Sequence, residues 1–162
     1  MANEECPECV QTKCGILQPL MTEDEKSATN VPIQDLSFDF ASRIIRLYQY
    51  LTQESDNKEY IISKQVFRSG TSIGANLNEA RHPQSDADFL SKSLIALKEA
   101  RETEYWLKLL QANGYISCRA FDSLNKDLDR LIRILIAVTT KVRERLKAEE
   151  KQKKIKKEPT NK

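Results

Sequence analysis

Three cysteines near the N-terminus, Cys6, Cys9 and Cys14, have the spacing Cys-x2-Cys-x4-Cys and are the side chains best suited to hold a metal. Thiolates two residues apart can share one tetrahedral ion. A fourth ligand is missing nearby, because Cys118 lies far along the chain and His82, the sole histidine, stands before Pro83 where a helix should end. The expectation is a reduced-thiol leader with no metal, since four cysteines without a secretion signal do not read as a disulfide framework. His82 has no second histidine with which to build a nucleophile relay, and a single histidine before proline is ordinarily a turn residue. Glu102 and Glu104 are two apart on a helix and point to different faces, so they make no carboxylate pair. The patterns H-E-x-x-H, G-x-x-x-x-G-K-S/T and E-x-x-H are absent, which argues against zinc protease, P-loop nucleotidase and di-iron carboxylate chemistry. The expectation is a non-enzyme without a cofactor.

Basic side chains are the remaining chemistry. Lys64, Arg68, Arg81, Arg130, Arg133, Lys141, Arg143, Arg145 and Lys147 flank the apolar stripes of the helices inferred below, as do Arg43 and Arg46. Such groups neutralise phosphates without reading sequence, so this set of nine is the candidate nucleic-acid surface. The alternative is a salt-bridged solvated face, because Glu54, Asp127, Asp129 and Glu144 are interspersed. The net charge is only +2, but residues 1–35 hold two lysines against seven acids, and residues 141–162 hold ten basic residues against four acids. An acidic head and a basic tail thus flank a nearly neutral body, a distribution that suits a polyanionic partner.

These groups must be positioned by helices. The chain has 162 residues, room for one ordinary domain with tails, and its 4 Gly and 5 Pro argue against a turn-rich β fold. Residues 1–34 show no apolar period and read as a flexible acidic leader. Phe40, Ile44, Leu47, Tyr48 and Leu51 draw one stripe on a helix over about 36–54, and Ile62, Val66, Ser69, Ile73 and Leu77 another over about 59–79. Ser85 or Asp86 caps a third helix that ends at Asn113-Gly114. Phe121, Leu124, Leu128, Leu131, Leu135, Val138, Val142 and Leu146 form the longest seam, close to that of a coiled coil. The expected fold is all-α, an antiparallel up-and-down four-helix bundle over 35–147, followed by a disordered basic tail over 148–162.

Two details sharpen that picture. Gly70 and Gly74 each cost roughly 1 kcal/mol in a helix relative to Ala, which predicts a close helix approach at both. Ile132, Ile134 and Ile136 add apolar surface beyond the fourth seam and are the expected subunit interface of a homo-oligomer. The longest apolar run, Ile134 to Val138, is far short of the roughly 20 residues that cross a bilayer, so no membrane contact is expected. With no basic-then-apolar leader, the expected location is the cytoplasm.

The segments DLSFDFASRIIRLYQYL, YIISKQVFRSGTSIGANLNEA, DADFLSKSLIALKEARETEYWL and LLQANGYIS together resemble the bacterial four-helix-bundle family encoded in 23S rRNA intervening sequences. The second is the most specific, through Arg68, Ser69, Ser72, Ile73, Ala75, Asn76, Glu79 and Ala80. Members often carry proline where Gly74 stands and glycine where Ala80 stands. The first 34 and last 20 residues fall outside the likeness. The resemblance implies a homopentameric ring. It also implies kinship with the accessory variability determinant of diversity-generating retroelements, a basic pentamer that binds a reverse transcriptase and template RNA. The function expected on that basis is a non-enzymatic nucleic-acid-binding accessory protein. The alternatives are an intervening-sequence protein of unknown role and a structural scaffold for other proteins.

Overall fold

The structure, a computed structural model, describes residues 32–56 and 58–157, with the backbone alone for 155–157. The cysteines Cys6, Cys9 and Cys14, the leader up to residue 31 and the last five residues lie outside the described residues. Four α-helices account for nearly all of the rest: α1 (Ile33–Gln49), α2 (Ile62–Glu79), α3 (Asp86–Ala112) and α4 (Cys118–Lys157). No strand occurs among the described residues.

Each helix boundary has a local cause. A π-helical turn, Tyr50–Glu54, continues α1 and widens its last turn. The Ser55 N–H there bonds the Tyr50 carbonyl, five residues back, at 2.9 Å. Glu59 organises the start of α2: its carboxylate accepts the N–H groups of Ile61, Ile62 and Ser63 at 2.8, 2.7 and 2.6 Å. Those are donors that the start of a helix leaves without intrahelical partners. Ser85 caps α3 by accepting the Asp88 N–H, while the Asp88 carboxylate accepts the Gln84 N–H, each at 3.1 Å. The end of α3 turns through Gly114 at φ +75°, and the Tyr115 N–H reaches the Leu110 carbonyl at 2.9 Å, satisfying a terminal acceptor.

Cross-helix contacts fix the directions. Along α1 and α2, Tyr48 meets Phe67 and Ile44 faces Gly70. Along α2 and α3, Ser69 meets Thr103 and Glu79 meets Lys92. Along α3 and α4, Gln111 meets Cys118 and Asp86 meets Arg145. Residue numbers rise on one helix as they fall on the next, so the neighbours are antiparallel, and α4 returns to α1 to close the four. The core is a single cluster that includes Phe40, Ile44, Leu51, Ile73, Leu107, Leu128, Leu131 and Leu135. Among the buried side chains of α2 and α3 are several small ones, Ser69 on the first and Ala96, Ala100 and Thr103 on the second. The Thr103 hydroxyl sits 2.9 Å from Ser69 Oγ and 2.8 Å from the Glu99 carbonyl, so these polar groups are satisfied inside the packing.

Three expectations change. Ile132 is only 2% exposed and belongs to the core cluster, so it is spent inside the chain and is not free to join a subunit interface. Ile134 is half-buried and Ile136 is 42% exposed, and residues two apart point to opposite flanks of a helix, so the three isoleucines form no common patch. Of the tail expected to be disordered over 148–162, residues 148–157 are instead helical: α4 continues through Lys157, because Ala148, Glu149, Glu150, Lys151 and Gln152 are strong helix formers that need no packing partner to extend an existing helix, and 158–162 lie outside the described residues. The close approach holds at Gly70 and not at Gly74. A Cβ on Gly70 would lie 2.8 Å from Ile44 Cγ1, whereas one on Gly74 would find its nearest neighbour, the Ser37 carbonyl oxygen, at an ordinary 3.5 Å.

Candidate nucleic-acid interface

The nine basic residues do not converge on one point. Lys64 and Arg68 stand exposed, one turn apart, on the outer side of α2. Arg81 is exposed in the turn after α2 and borders a groove between α1 and α2. The other six lie on α4 and divide by helical spacing. Arg130, Lys141 and Arg145 share one flank, Arg143 and Lys147 the other, and Arg133 faces outward between them.

Their charges are not equally available. Arg133 is held by Asp129 at 2.5 Å and Arg145 by Asp86, the first residue of α3, at 2.7 Å. Arg130 is half-buried, and its Nη2 has no hydrogen-bond partner among the described residues. Lys141, Arg143 and Lys147 are exposed and make no ion pair among the described residues, and the same holds for Lys151, Lys153 and Lys154 farther along α4. The Arg145–Asp86 pair marks where α3 begins, so the basic stretch beyond it has no α3 alongside. Elsewhere basic groups are tied to acids. On α3, a hydrogen bond from Lys108 and another from Arg101 hold the Glu104 carboxyl below its ordinary range against the opposing effect of burial. Glu79 accepts a hydrogen bond from Lys92 and raises that ammonium above its usual value.

Two features emerge only in three dimensions. The first is a cleft of about 460 Å³ where α1 meets the beginning of α4, lined by Arg43, Arg46, Arg119, Ser117 and Ser123 among others. Arg43 spans the two helices: it pairs with Asp127 and donates to Ser123 Oγ at 2.7 Å and to the Ser123 carbonyl at 3.1 Å. Arg119 went unnoticed in the sequence although a signal was present. It is a cation in the first turn of a helix that has no acid there, opposite to what the helix dipole favours.

The second feature is the groove bordered by Arg81, whose walls include Phe38, Ala41, Thr71, Gly74 and Ala75. Phe38 is 71% exposed, and Ile45 and Phe67 are also large apolar side chains open to solvent. Exposed apolar side chains therefore lie on α1 and α2 as well as at Ile136 on α4, where the sequence pattern placed them.

Among the described residues no cluster of His, Cys, Asp and Glu could hold a metal ion, and no helix is long and apolar enough to cross a membrane. The described fold is a bundle of four helices with exposed cations along α4. The chain belongs to the 23S rRNA-intervening sequence protein family, whose sequence profile matches residues 29–137. A crystal structure of a protein with unknown function from the S23 ribosomal protein family of Bacteroides thetaiotaomicron VPI-5482 is similar to it, with 48% identity and a TM-score of 0.64. That likeness covers 67% of this chain and 98% of the other. No functionally curated protein matches the chain. Residues 138–162, with the most basic part of α4, lie beyond the family match.

Proposed function

We propose that this chain is a non-catalytic cytoplasmic protein that contacts RNA through the basic flanks of α4 and works as a homo-oligomer, with the pentameric ring of the family resemblance as its assembled form. The observation that carries the reading is the second half of α4, where Lys141, Arg143, Lys147, Lys151, Lys153 and Lys154 stand exposed without ion-pair partners among the described residues. Cations held in ion pairs on the surface are already compensated, whereas these can replace the counterions of a phosphate backbone. Repetition around a ring would multiply the field and steer a polyanion toward it.

The test is fluorescence anisotropy with structured RNA at rising salt. If about four phosphates are neutralised, affinity should fall roughly 50- to 150-fold between 50 and 200 mM salt. Charge reversal at Lys141, Arg143 and Lys147 should weaken binding to unrelated RNA sequences alike. Absence of binding by the intact oligomer at low salt overturns the reading. In its retroelement form the partners are a reverse transcriptase and template RNA or an RNA–DNA hybrid. A reverse transcriptase gene beside this one supports that form, and location within an rRNA gene supports the plainer intervening-sequence role.

A second reading, a scaffold for another protein, is favoured by exposed Phe38, Ile45 and Phe67. Its mark is capture of a protein partner that survives high salt and is lost in Phe38→Asp.

A further inference from the structure

We propose that the cleft between α1 and the start of α4 is a phosphate-binding site, and that it takes a backbone phosphate of the RNA whose remaining phosphates lie along α4. The second half of this statement rests on the RNA reading above, and the first half does not.

Three arginines from two helices, Arg43 and Arg46 from α1 and Arg119 from α4, line a cleft of about 460 Å³. The cleft is open to solvent, so a phosphate group can reach the arginines from outside. Guanidinium groups suit this ligand because their planar forks donate two parallel N–H bonds to neighbouring phosphate oxygens. The three arginines have different duties. Arg43 is committed to Asp127 and Ser123, so it braces the wall and neutralises the Asp127 carboxylate. Arg46 and Arg119 are exposed and make neither an ion pair nor a side-chain hydrogen bond among the described residues, which leaves both forks available. Asp39 and Asp122, the other carboxylates close in sequence, do not line the cleft. Two hydroxyls complete it. Ser117 Oγ accepts the Ala120 N–H at 3.2 Å, which leaves its own proton to donate, and Ser123 Oγ accepts from Arg43 in the same way.

The cleft is also aligned with the rest of the basic surface. Arg119, Ser123, Asp127, Arg130, Ile134, Lys141 and Arg145 succeed one another at steps of 4, 4, 3, 4, 7 and 4, which is one stripe along α4. With Asp127 neutralised by Arg43 and Arg145 by Asp86, the net positive groups of the stripe are Arg119, Arg130 and Lys141. Arg119 and Lys141 are about 33 Å apart along the axis at 1.5 Å per residue. An extended strand can engage Lys141 at one end and the cleft at the other, whereas a dinucleotide cannot.

The experiment uses the full chain and two probes. Inorganic phosphate is titrated against isotope-labelled protein while the Arg side-chain and Ser117 amide NMR signals are followed. A 20-nucleotide RNA is titrated separately by anisotropy. Saturable phosphate-induced shifts at Arg46, Arg119 and Ser117 are expected, and these should vanish in Arg46→Gln/Arg119→Gln. RNA affinity should fall about 10-fold in that double variant, with a salt slope smaller by one to two. Both side chains are exposed, so unchanged circular dichroism is the expected control. If inorganic phosphate produces no saturable shifts there, the cleft is not a phosphate site, whatever RNA does. If the shifts appear but the double variant binds RNA as well as the wild type, the assignment to an RNA phosphate falls. If they appear and the wild type binds no RNA, the RNA reading fails by itself and the cleft stands as a site for a free phosphate compound.

Discussion

Glu59 illustrates how much one side chain can decide. It is 7% exposed, and burial alone would raise its carboxyl; hydrogen bonds from the Ile62, Ser63 and Ile61 N–H groups outweigh this and lower it below the ordinary glutamate value. A carboxyl lowered in the folded state contributes stability above its unfolded pKa and loses that contribution as pH falls through the folded one. Glu59→Gln should therefore cost about 1–2 kcal/mol at pH 7, as loss of a helix cap does. Chemical denaturation at pH 7 and again below about pH 4.5 should show the difference between variant and wild type shrinking at the acid end. The residue was legible only as part of a helix start, because its role depends on the backbone curling over it. The two helical glycines separate in the same way. Gly70→Ala must displace the buried Ile44, an overpacking cost of about 1–3 kcal/mol that exceeds the roughly 1 kcal/mol gained in helix propensity. Gly74→Ala meets only ordinary contacts and should raise stability by up to about 1 kcal/mol. Equal melting temperatures for the two variants would show that neither glycine is at a tight crossing.

At the scale of the element, α4 shows why a seam in sequence is not yet an interface. Its periodic leucines predict a buried stripe, and Leu124, Leu128, Leu131 and Leu135 are buried. The pattern cannot say whether the additional isoleucines meet a neighbouring helix of the same chain or a second copy. Ile132 meets its own chain. Ile132→Asp should therefore unfold the bundle, since an uncompensated buried carboxylate costs several kcal/mol. If copies of the chain meet through the exposed apolar side chains of α1 and α2, Phe38→Asp should leave circular dichroism unchanged and lower the molar mass seen by light scattering. A mass unaffected by Phe38→Asp would show that the α1/α2 groove is not where copies meet. The same lesson applies to Thr139, which is buried while Val138 is half-buried. Its hydroxyl donates to the Leu135 carbonyl at 2.7 Å, so a polar residue can take the inner position without an unsatisfied group.

For the whole molecule, the extension of α4 separates stability from charge. Every described side chain from Lys147 to Lys154 is exposed, so ending the chain after Leu146 removes no core contact. Thermal unfolding of that truncation should agree with the full chain to within about 0.5 kcal/mol, while RNA affinity at low salt should fall severalfold. A truncation that binds RNA as tightly as the full chain would move the interface onto the bundle itself. The amino-acid sequence alone determined the four helices, their order, their antiparallel packing and the basic bias of the C-terminal region. Each of these follows from spacing within one segment, short connections or residue type, which neighbours in the chain suffice to express. Only the tertiary structure decided that Ile132 is core, that Gly70 and not Gly74 sits at a tight contact, and that Arg145 is already paired with Asp86. It also brought Arg43, Arg46 and Arg119 around one cleft. These are relations between side chains far apart in sequence, and they depend on how each helix is rotated and shifted against its neighbours, quantities that helical periodicity leaves open.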